Sequence, residues 1–467
     1  MSRPPVSSLG LRPWNTAPAR AFAAATFDRL GALAPDAIDA HLHALVERQE
    51  HHVNEHCLNL YAGTNIANPR MASLLGSSIG GRPNLGSPGD TYNRGMDAGS
   101  EISLLTDALV GSLFGADFVE TRVPSGSIAN QYAYLATCKP GDAIVAFSDA
   151  AAGHVTHHAA GAAGWLGLVT HDAPWNAESM DVDLDEFARQ IDRVKPKLVI
   201  MAGSMCLFPY AVPEVRALAD TIGAFVLFDA AHMGGMIAGG RFQDPLREGA
   251  HLVTGSTYKS FGGPPSGMIL TNDETLAERL DTIAYPGFTA NFDLAKSAAL
   301  GLAALDMHTY GAAYADQCIA NAQALARHLA AEGLDVFDVP GRAGHADLRG
   351  GHPFTVSQHV ALGAARYGGG NRAARKLEQA NILCSSIGLP RPLVPDEAMH
   401  PARNAGADPV GPLRTRHGDG RPTVRRCTAR SATQRIRGRR RRRDAPGFLH
   451  RPLRRPLTSR PHERHRP

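Results

Sequence analysis

The sequence predicts an α/β fold with a mostly parallel central sheet and helices on both faces. Three observations point there. From Ser100 onward, apolar strand-like runs alternate with helical segments, and parallel strands need such a crossover between them. The runs are continuously apolar, as in AFVLFD (224–229), which suits strands buried on both faces. Their carboxyl ends pass into turns rich in Gly, Ser, Asp, His and Lys, on the side of a parallel sheet where ligands collect.

Taken in order, residues 1–60 read as a helical arm, since FDRLGALAPDAIDAHLHALVERQEHH carries apolar residues at helical spacing around an Ala-Pro break. Gly and Pro dominate from Gly76 to Gly99, an irregular region of the kind that carries binding loops. Alternation follows. SEISLLTDALVGSLFG reads as helix, FVETRVPSG as strand and turn, SIANQYAYLATCK as helix and AIVAFS as strand. KLVIMAGS, VPEVRALADTIG, AFVLFDA, HLVTGST and GMILTN continue it, so residues 61–295 are assigned to one large domain. From about Asp293 the pattern turns mostly helical, and residues 296–400 read as a small C-terminal domain, followed by an Arg/Pro-rich tail at 401–467.

Composition narrows the class. No run of eighteen apolar residues occurs, and the start MSRPPVSSLGLRPWNT lacks the apolar centre of a signal peptide, so a cytoplasmic protein without a membrane partner is expected. The six cysteines (57, 138, 206, 318, 384 and 427) form no CxxC pair, which argues against a disulfide framework or a zinc site. The net charge of +4 averages two unlike parts. Residues 401–467 hold 20 Arg, no Lys and four acids, giving +16 there and −12 over the first 400. An acidic body argues against nucleic acid as the main partner.

Two segments carry the chemistry. VTGSTYKSFGGPPSGM (253–268) puts Lys259 on a tight turn after an apolar run, where rigid backbone holds its amine. Thirty residues earlier, a strand-like run delivers Asp229 at its carboxyl end with His232 three residues on. A lysine that captures an aldehyde and a buried acid that keeps a pyridine nitrogen protonated are the two parts that pyridoxal 5′-phosphate needs. Of the six lysines (139, 195, 197, 259, 296 and 376), Lys259 is the one in a strand-turn setting. Read alone it is more readily a surface lysine in a Gly-rich loop; the aspartate and a phosphate site reverse that and decide for the cofactor.

That phosphate site is the turn Ser125, Gly126 and Ser127 ahead of a helix, where free N–H groups, two hydroxyls and the helix dipole favour an anion. Ordinary helix capping is the alternative. His154, His157 and His158 follow the strand AIVAFS, and one of them, His154 first, is placed to stack on a cofactor ring; plain loop histidines are the alternative. Ser204, at the end of KLVIMAGS, is placed for the ring oxygen. Five strand ends thus converge.

Together these segments resemble the serine hydroxymethyltransferase family, including its α-methylserine aldolase relatives, from about Leu58 to Pro390. LNLYAGTNIANPRMASLLGS is similar to the family's Ile-Ala-Ser-Glu-Asn segment and SPGDTY to its Tyr-Pro-Gly-x-x-Tyr loop. VPSGSIANQYAYLATCKPGD, DAAHMGG, STYKSFGGPPSGMI and KLEQANIL follow in the family's order. The resemblance implies the type I (aspartate aminotransferase-like) pyridoxal-phosphate fold. It implies that Lys259 forms the Schiff base, Asp229 binds the ring nitrogen, His232 and Ser204 sit by the ring oxygen, and Ser125, Gly126 and Ser127 hold the phosphate. Tyr92 would lie near the substrate, Tyr258 stands in place of the histidine before the lysine, and Gly263 would meet phosphate across a homodimer or dimer-of-dimers interface.

Departures cluster on the substrate side. Leu85 stands where the family carries a glutamate tied to proton handling and folate chemistry, Asn93 where a second loop tyrosine is usual, and Gly63 and Thr64 where Ser-Glu is usual. Ala151 occupies the position of the ring-stacking histidine, for which His154 would substitute, and Pro265 that of an arginine. The implied activity is transfer of the hydroxymethyl group of serine to tetrahydrofolate, giving glycine. Losing the glutamate removes a general acid/base worth about 10²–10⁴-fold in a proton transfer. The alternative is therefore a folate-independent aldolase acting on α-methylserine or another β-hydroxy amino acid, or an inactive scaffold. The tail bears on this choice: it holds Arg414 but no readable Gly-Ile-Arg-x-Gly-Thr-Pro segment, whose arginine clamps a substrate carboxylate in the family. Its all-Arg composition is that of GC-rich codons read out of frame. Codons for residues 407–411, read one nucleotide later, permit Arg-Ile-Arg-Leu-Gly, so a frame change near Ala405 to Ala407 is expected, rather than a nucleic-acid-binding arm.

Overall fold

Pro35 divides the N-terminal arm into helices α1 (Ala17–Gly31) and α2 (Pro35–His51), because proline lacks the N–H that a continuing helix needs yet fits the first turn of a new one. Neither helix holds a buried residue. The computed structural model describes residues 12–31, 33–82, 84–177, 179–339 and 354–389. Arg414, the basic tail and the frame change expected near Ala405 lie outside the described residues.

After β1 (Leu58–Asn59) come α3 (Pro69–Leu75), capped by the Asn68 side chain, a small hairpin of β2 (Gly86–Ser87) and β3 (Asp90–Thr91), and α4 (Asp97–Phe114). Strand–helix alternation then begins with β4 (Phe118–Val123), α5 (Gly126–Thr137), β5 (Ala143–Ala146), α6 (Ala162–Trp165) and β6 (Val169–Asp172). A two-stranded pair, β7 (Trp175–Asn176) and β8 (Asp181–Val182), precedes α7 (Leu184–Val194), β9 (Leu198–Met201), α8 (Val212–Asp220), β10 (Phe225–Asp229), α9 (Gly234–Ala238) and β11 (Leu252–Ser256). β12 (Gly267–Thr271) and α10 (Glu274–Thr282) lead to the 38-residue α11 (Leu294–Ala331), whose first turn Asp293 caps. Last come α12 (Gly370–Glu378) and β13 (Ile382–Leu383), which returns to pair in parallel with β1.

Seven strands form the central sheet in the order β4-β12-β11-β10-β9-β5-β6. β12 runs antiparallel to both its neighbours and the other six point one way, so the sheet is mostly parallel. Consecutive residues of the inner strands enter opposite cores, as side chains that alternate across a sheet must. Val145, Val199, Met201, Val226, Phe228 and Val253 pack with α4, α7, α8, α9 and α11. Ile144, Leu198, Ile200, Leu227, Leu252 and Ile269 pack with α5, α6 and α10. Both faces are therefore covered, which explains why the strands read as unbroken apolar runs.

Among the described residues no helix is long and apolar enough to cross a membrane, and all five described cysteines are free. Cys427 lies outside them.

Candidate active site

The carboxyl ends of β4, β5, β9, β10 and β11 lie along one edge of the sheet, and the loops that leave them carry Ser125, His154, Ser204, Asp229 and Lys259. Asp229 is the last residue of β10 and is buried. Its Oδ1 accepts from the Ala231 N–H at 2.9 Å, while Oδ2 accepts from Asn130 Nδ2 and faces His157 Nε2, each at 3.0 Å. Burial alone would raise its pKa. The hydrogen bond from His157 and the charges of His157 and His154 outweigh that and hold the carboxyl well below the usual range, so it is ionised.

Lys259 follows β11 by three residues and is 9% exposed. Its Nζ lies 2.9 Å from His232 Nε2. Burial lowers its pKa, against the opposing pull of Asp229, and so favours the free amine that attacks a carbonyl. The turn is rigid: the Lys259 carbonyl accepts from Asn65 Nδ2 and from the Gly262 N–H, both at 3.0 Å, with Gly262 at φ +75°. Tyr258 is half-buried on the same turn. Gly263 is buried and donates its N–H to Thr257 O at 2.7 Å; a Cβ there would come within 3.0 Å of that oxygen.

His232 sits between the lysine and a second layer. Its carbonyl accepts from Ser260 Oγ at 2.6 Å and Gln358 Nε2 at 2.7 Å, and its ring lies 5.6 Å from that of His359. Burial first, then Lys259 and His359, push its pKa well down, so the ring is neutral. Its Nδ1 is buried without a hydrogen-bond partner, as is His359 Nε2.

At the head of α5, Ser125 adopts extended backbone and its hydroxyl accepts from the Ile128 N–H at 3.3 Å. The N–H groups of Gly126 and Ser127 precede any intrahelical acceptor and remain open to an anion. Gly126 is buried against β11: a Cβ would lie 2.5 Å from Ser256 Oγ. Ser125 therefore caps the helix, and the arrangement keeps the anion-binding option beside it.

His154 Nδ1 engages Thr156 Oγ1 at 2.7 Å, and burial lowers its pKa. Ser204 is half-buried and is positioned by its N–H, 2.9 Å from Ala152 O. Tyr92 stands apart from this group: it follows the β2–β3 hairpin, donates its N–H to Leu85 O at 3.0 Å and is 78% exposed. Ala151 is buried in the apolar core under the sheet.

Sequence reading singled out neither Asn130, Tyr134, Thr254 and Asn65 nor Gln358 and His359. Asn130 joins Asp229 to Thr254, whose hydroxyl donates to Asn130 Oδ1 at 2.7 Å. A signal existed: Gly126, Asn130 and Tyr134 recur every four residues, on one face of α5. Of the three histidines after β5, His157 is the one that reaches Asp229, whereas His158 binds Phe147 O at 2.8 Å.

The family model described as serine hydroxymethyltransferase matches residues 36–346. An α-methylserine aldolase of Variovorax paradoxus is 48% identical over 374 residues, covering 79% of this chain and 82% of the relative. One from Ralstonia sp is 44% identical over 384 residues, 82% and 85% of the two chains. A serine hydroxymethyltransferase of Methanopyrus kandleri is 38% identical over 351 residues, 75% and 79%. With two thirds of its length matched by one family model and the lysine, aspartate and Ser-Gly-Ser segments on one sheet edge, the chain belongs to the serine hydroxymethyltransferase family.

Proposed function

We propose that the chain cleaves, and in reverse forms, the Cα–Cβ bond of a β-hydroxy amino acid of the serine type, using pyridoxal 5′-phosphate. One observation carries this reading. A buried amine whose hold on its proton burial weakens and a buried ionised carboxylate leave neighbouring strands at the same sheet edge, beside an open helix N-terminus. These groups fit the cofactor: the orphaned His232 Nδ1 is a feature a bound polar ring would account for. When bound, the cofactor supplies an aldehyde for a lysine amine and a protonated ring that takes up the electrons of the breaking bond.

The chain's own residues do the rest. Lys259 presents its amine to the aldehyde, held in place by its 2.9 Å contact with His232 Nε2. Asp229 keeps a proton on the ring nitrogen and, being packed among Asn130, His157 and the Ala231 N–H, does not turn away. Ser125, Gly126 and Ser127 bind phosphate; His154 covers the ring, and Ser204 and His232 contact its oxygen. Tyr258 and Tyr92 serve the substrate. The exposure of Tyr92 supports a homodimer in which it reaches a partner's site, whereas Gly263, buried with its N–H on Thr257 O, serves to shape the lysine turn. The organisation proposed is an N-terminal arm to residue 60, a cofactor domain at 61–295 and a small domain at 296–400.

Two fates of the one-carbon unit follow from different observations. Family membership supports serine as donor and tetrahydrofolate as acceptor. Leu85, apolar where folate chemistry would use a carboxylate, and 44–48% identity to the α-methylserine aldolases support folate-independent release of formaldehyde. Purified protein mixed with pyridoxal phosphate is expected to show a visible band that Lys259→Ala abolishes; a protein that stays colourless sinks the cofactor assignment. Serine and α-methylserine cleavage with and without tetrahydrofolate then separates the two fates. Strict folate dependence excludes the aldolase, and folate-free cleavage of α-methylserine excludes the transferase.

A further inference from the structure

Helix α5 does more than end on Ser125. Its residues 126, 130 and 134 form one stripe, and the structure turns that stripe to the sheet edge: Gly126 lies against Ser256, Asn130 on Asp229 and Tyr134 on His157. Tyr134 and His157 are each 1% exposed. The Tyr134 hydroxyl lies 2.6 Å from His157 Nδ1 and 3.1 Å from Thr156 O, and His157 Nε2 lies 3.0 Å from Asp229 Oδ2.

Donor counting constrains this chain. The ionised Asp229 accepts only, so His157 Nε2 carries a hydrogen. Tyr134 has one hydroxyl hydrogen and two neighbours to receive it. Pointed at Nδ1, it leaves the imidazole with one proton and no charge. Pointed at the Thr156 carbonyl, which accepts only, it leaves the phenol oxygen to accept from Nδ1–H, and the imidazole holds a second proton, taken from solution, as an ion pair with Asp229. Burial, the largest effect, together with the charge of Asp229, keeps the phenol itself protonated. The other titratable groups around this chain are His154, with its ring 6.2 Å from that of His157, His158 on the same loop, Lys259 beyond β11, His232 and Cys206 on the Asp229 side, and Cys138 after α5.

We propose that Tyr134 is a positioning residue: by offering His157 either a donor or an acceptor, it lets the imidazole on Asp229 carry one proton or two, and thereby sets how firmly Asp229 holds a proton on the base it faces. That the base is the cofactor's ring nitrogen rests on the function proposed above. In Tyr134→Phe, His157 Nδ1 faces hydrocarbon, an N–H there would be buried without a partner, and the one-proton ring is the form that remains.

Two measurements on the full chain test this. With pyridoxal phosphate bound, Tyr134→Phe is expected to move the pH midpoint of the visible band by about one unit, the size of effect a charge in contact with a carboxylate exerts. An unmoved midpoint in a folded, coloured variant overturns the proposal. A colourless unaltered protein refutes the cofactor assignment instead, and the second measurement then decides. In ¹⁵N-histidine-labelled apoprotein, with His157 assigned by its loss in His157→Gln, the ring is expected to pass between one-proton and two-proton forms with pH and to stay in the one-proton form in Tyr134→Phe. A His157 that keeps one form throughout in the unaltered protein overturns the proposal, whether or not Tyr134→Phe folds.

Discussion

Gly234 and Gly235 are neighbours in α9 with opposite tolerances. A Cβ on Gly234 would sit 3.7 Å from Met268 Cε and Phe261 Cβ, an ordinary contact. On Gly235 it would lie 2.1 Å from Ser260 O, backbone next to the lysine, while the Gly235 N–H donates to Ser260 Oγ at 3.0 Å. Gly234→Ala should therefore be neutral, or stabilising by up to about 1 kcal/mol from helix propensity. Gly235→Ala should cost about 1–3 kcal/mol by overpacking and weaken pyridoxal-phosphate binding as Lys259 shifts. Urea unfolding and a cofactor titration check both, and equal effects at the two positions would sink the account. The same distinction explains what was legible here. Lys259 and Asp229 stood out because each ends an apolar run, a one-dimensional signal. His157 was one of three histidines considered for stacking on a ring, and its contact with Asp229 is a separate role that only distance reveals; Asn130 and Tyr134 looked like ordinary helix residues because nothing in one dimension shows which face of α5 meets β10.

At the scale of elements, alternation sufficed for most of the sheet. The expected runs coincide with β4, β5, β9, β10, β11 and β12; the inner strands β5, β9 and β10 are mainly apolar because both their faces are covered, whereas β4, at the sheet edge, carries Glu120, Thr121 and Arg122. β6 escaped because Val169–Asp172 is a short edge strand with two exposed and two half-buried residues, so neither burial nor alternation marks it. The antiparallel sense of β12 is set by the tight turn around Lys259, too short for a crossover back to the far end of the sheet. Helix α5 allows an element-level prediction that separates the two readings of its first residue. As a cap, Ser125 stabilises the helix by about 1 kcal/mol, and Ser125→Ala should remove that from the apoprotein. If its hydroxyl also meets phosphate, the variant should weaken pyridoxal-phosphate binding severalfold beyond the stability loss. A variant with lowered stability and unchanged affinity would confine Ser125 to capping.

For the whole molecule, burial of histidines links fold to acidity. Burial pushes His154 and His251 down, His232 well down and His359 down to about 4, against an ordinary value of 6.5. A base whose folded pKa is depressed contributes stability that is fully present above 6.5 and lost as pH falls toward its folded value, because the unfolded chain takes up the proton first. Two acids act the other way. Burial raises Asp107 to about 7 and also raises Glu248, so their contributions are present at low pH and lost as pH rises. His232 and His359, the two lowered furthest, outnumber Asp107, the acid raised to about 7, so a net proton uptake on unfolding remains between 6.5 and about 4. Asp229 adds nothing in that window, since its ordinary value is 3.8 and its folded value lies lower still. The stability of the apoprotein is therefore expected to fall as pH drops from 6.5 toward 4. His359→Gln should flatten the slope by about one proton, or about 1.4 kcal/mol per pH unit. Urea midpoints across this range measure it. Stability that is level or rising on acidification, or a slope unchanged in His359→Gln, would show that these rings are not held neutral by the fold.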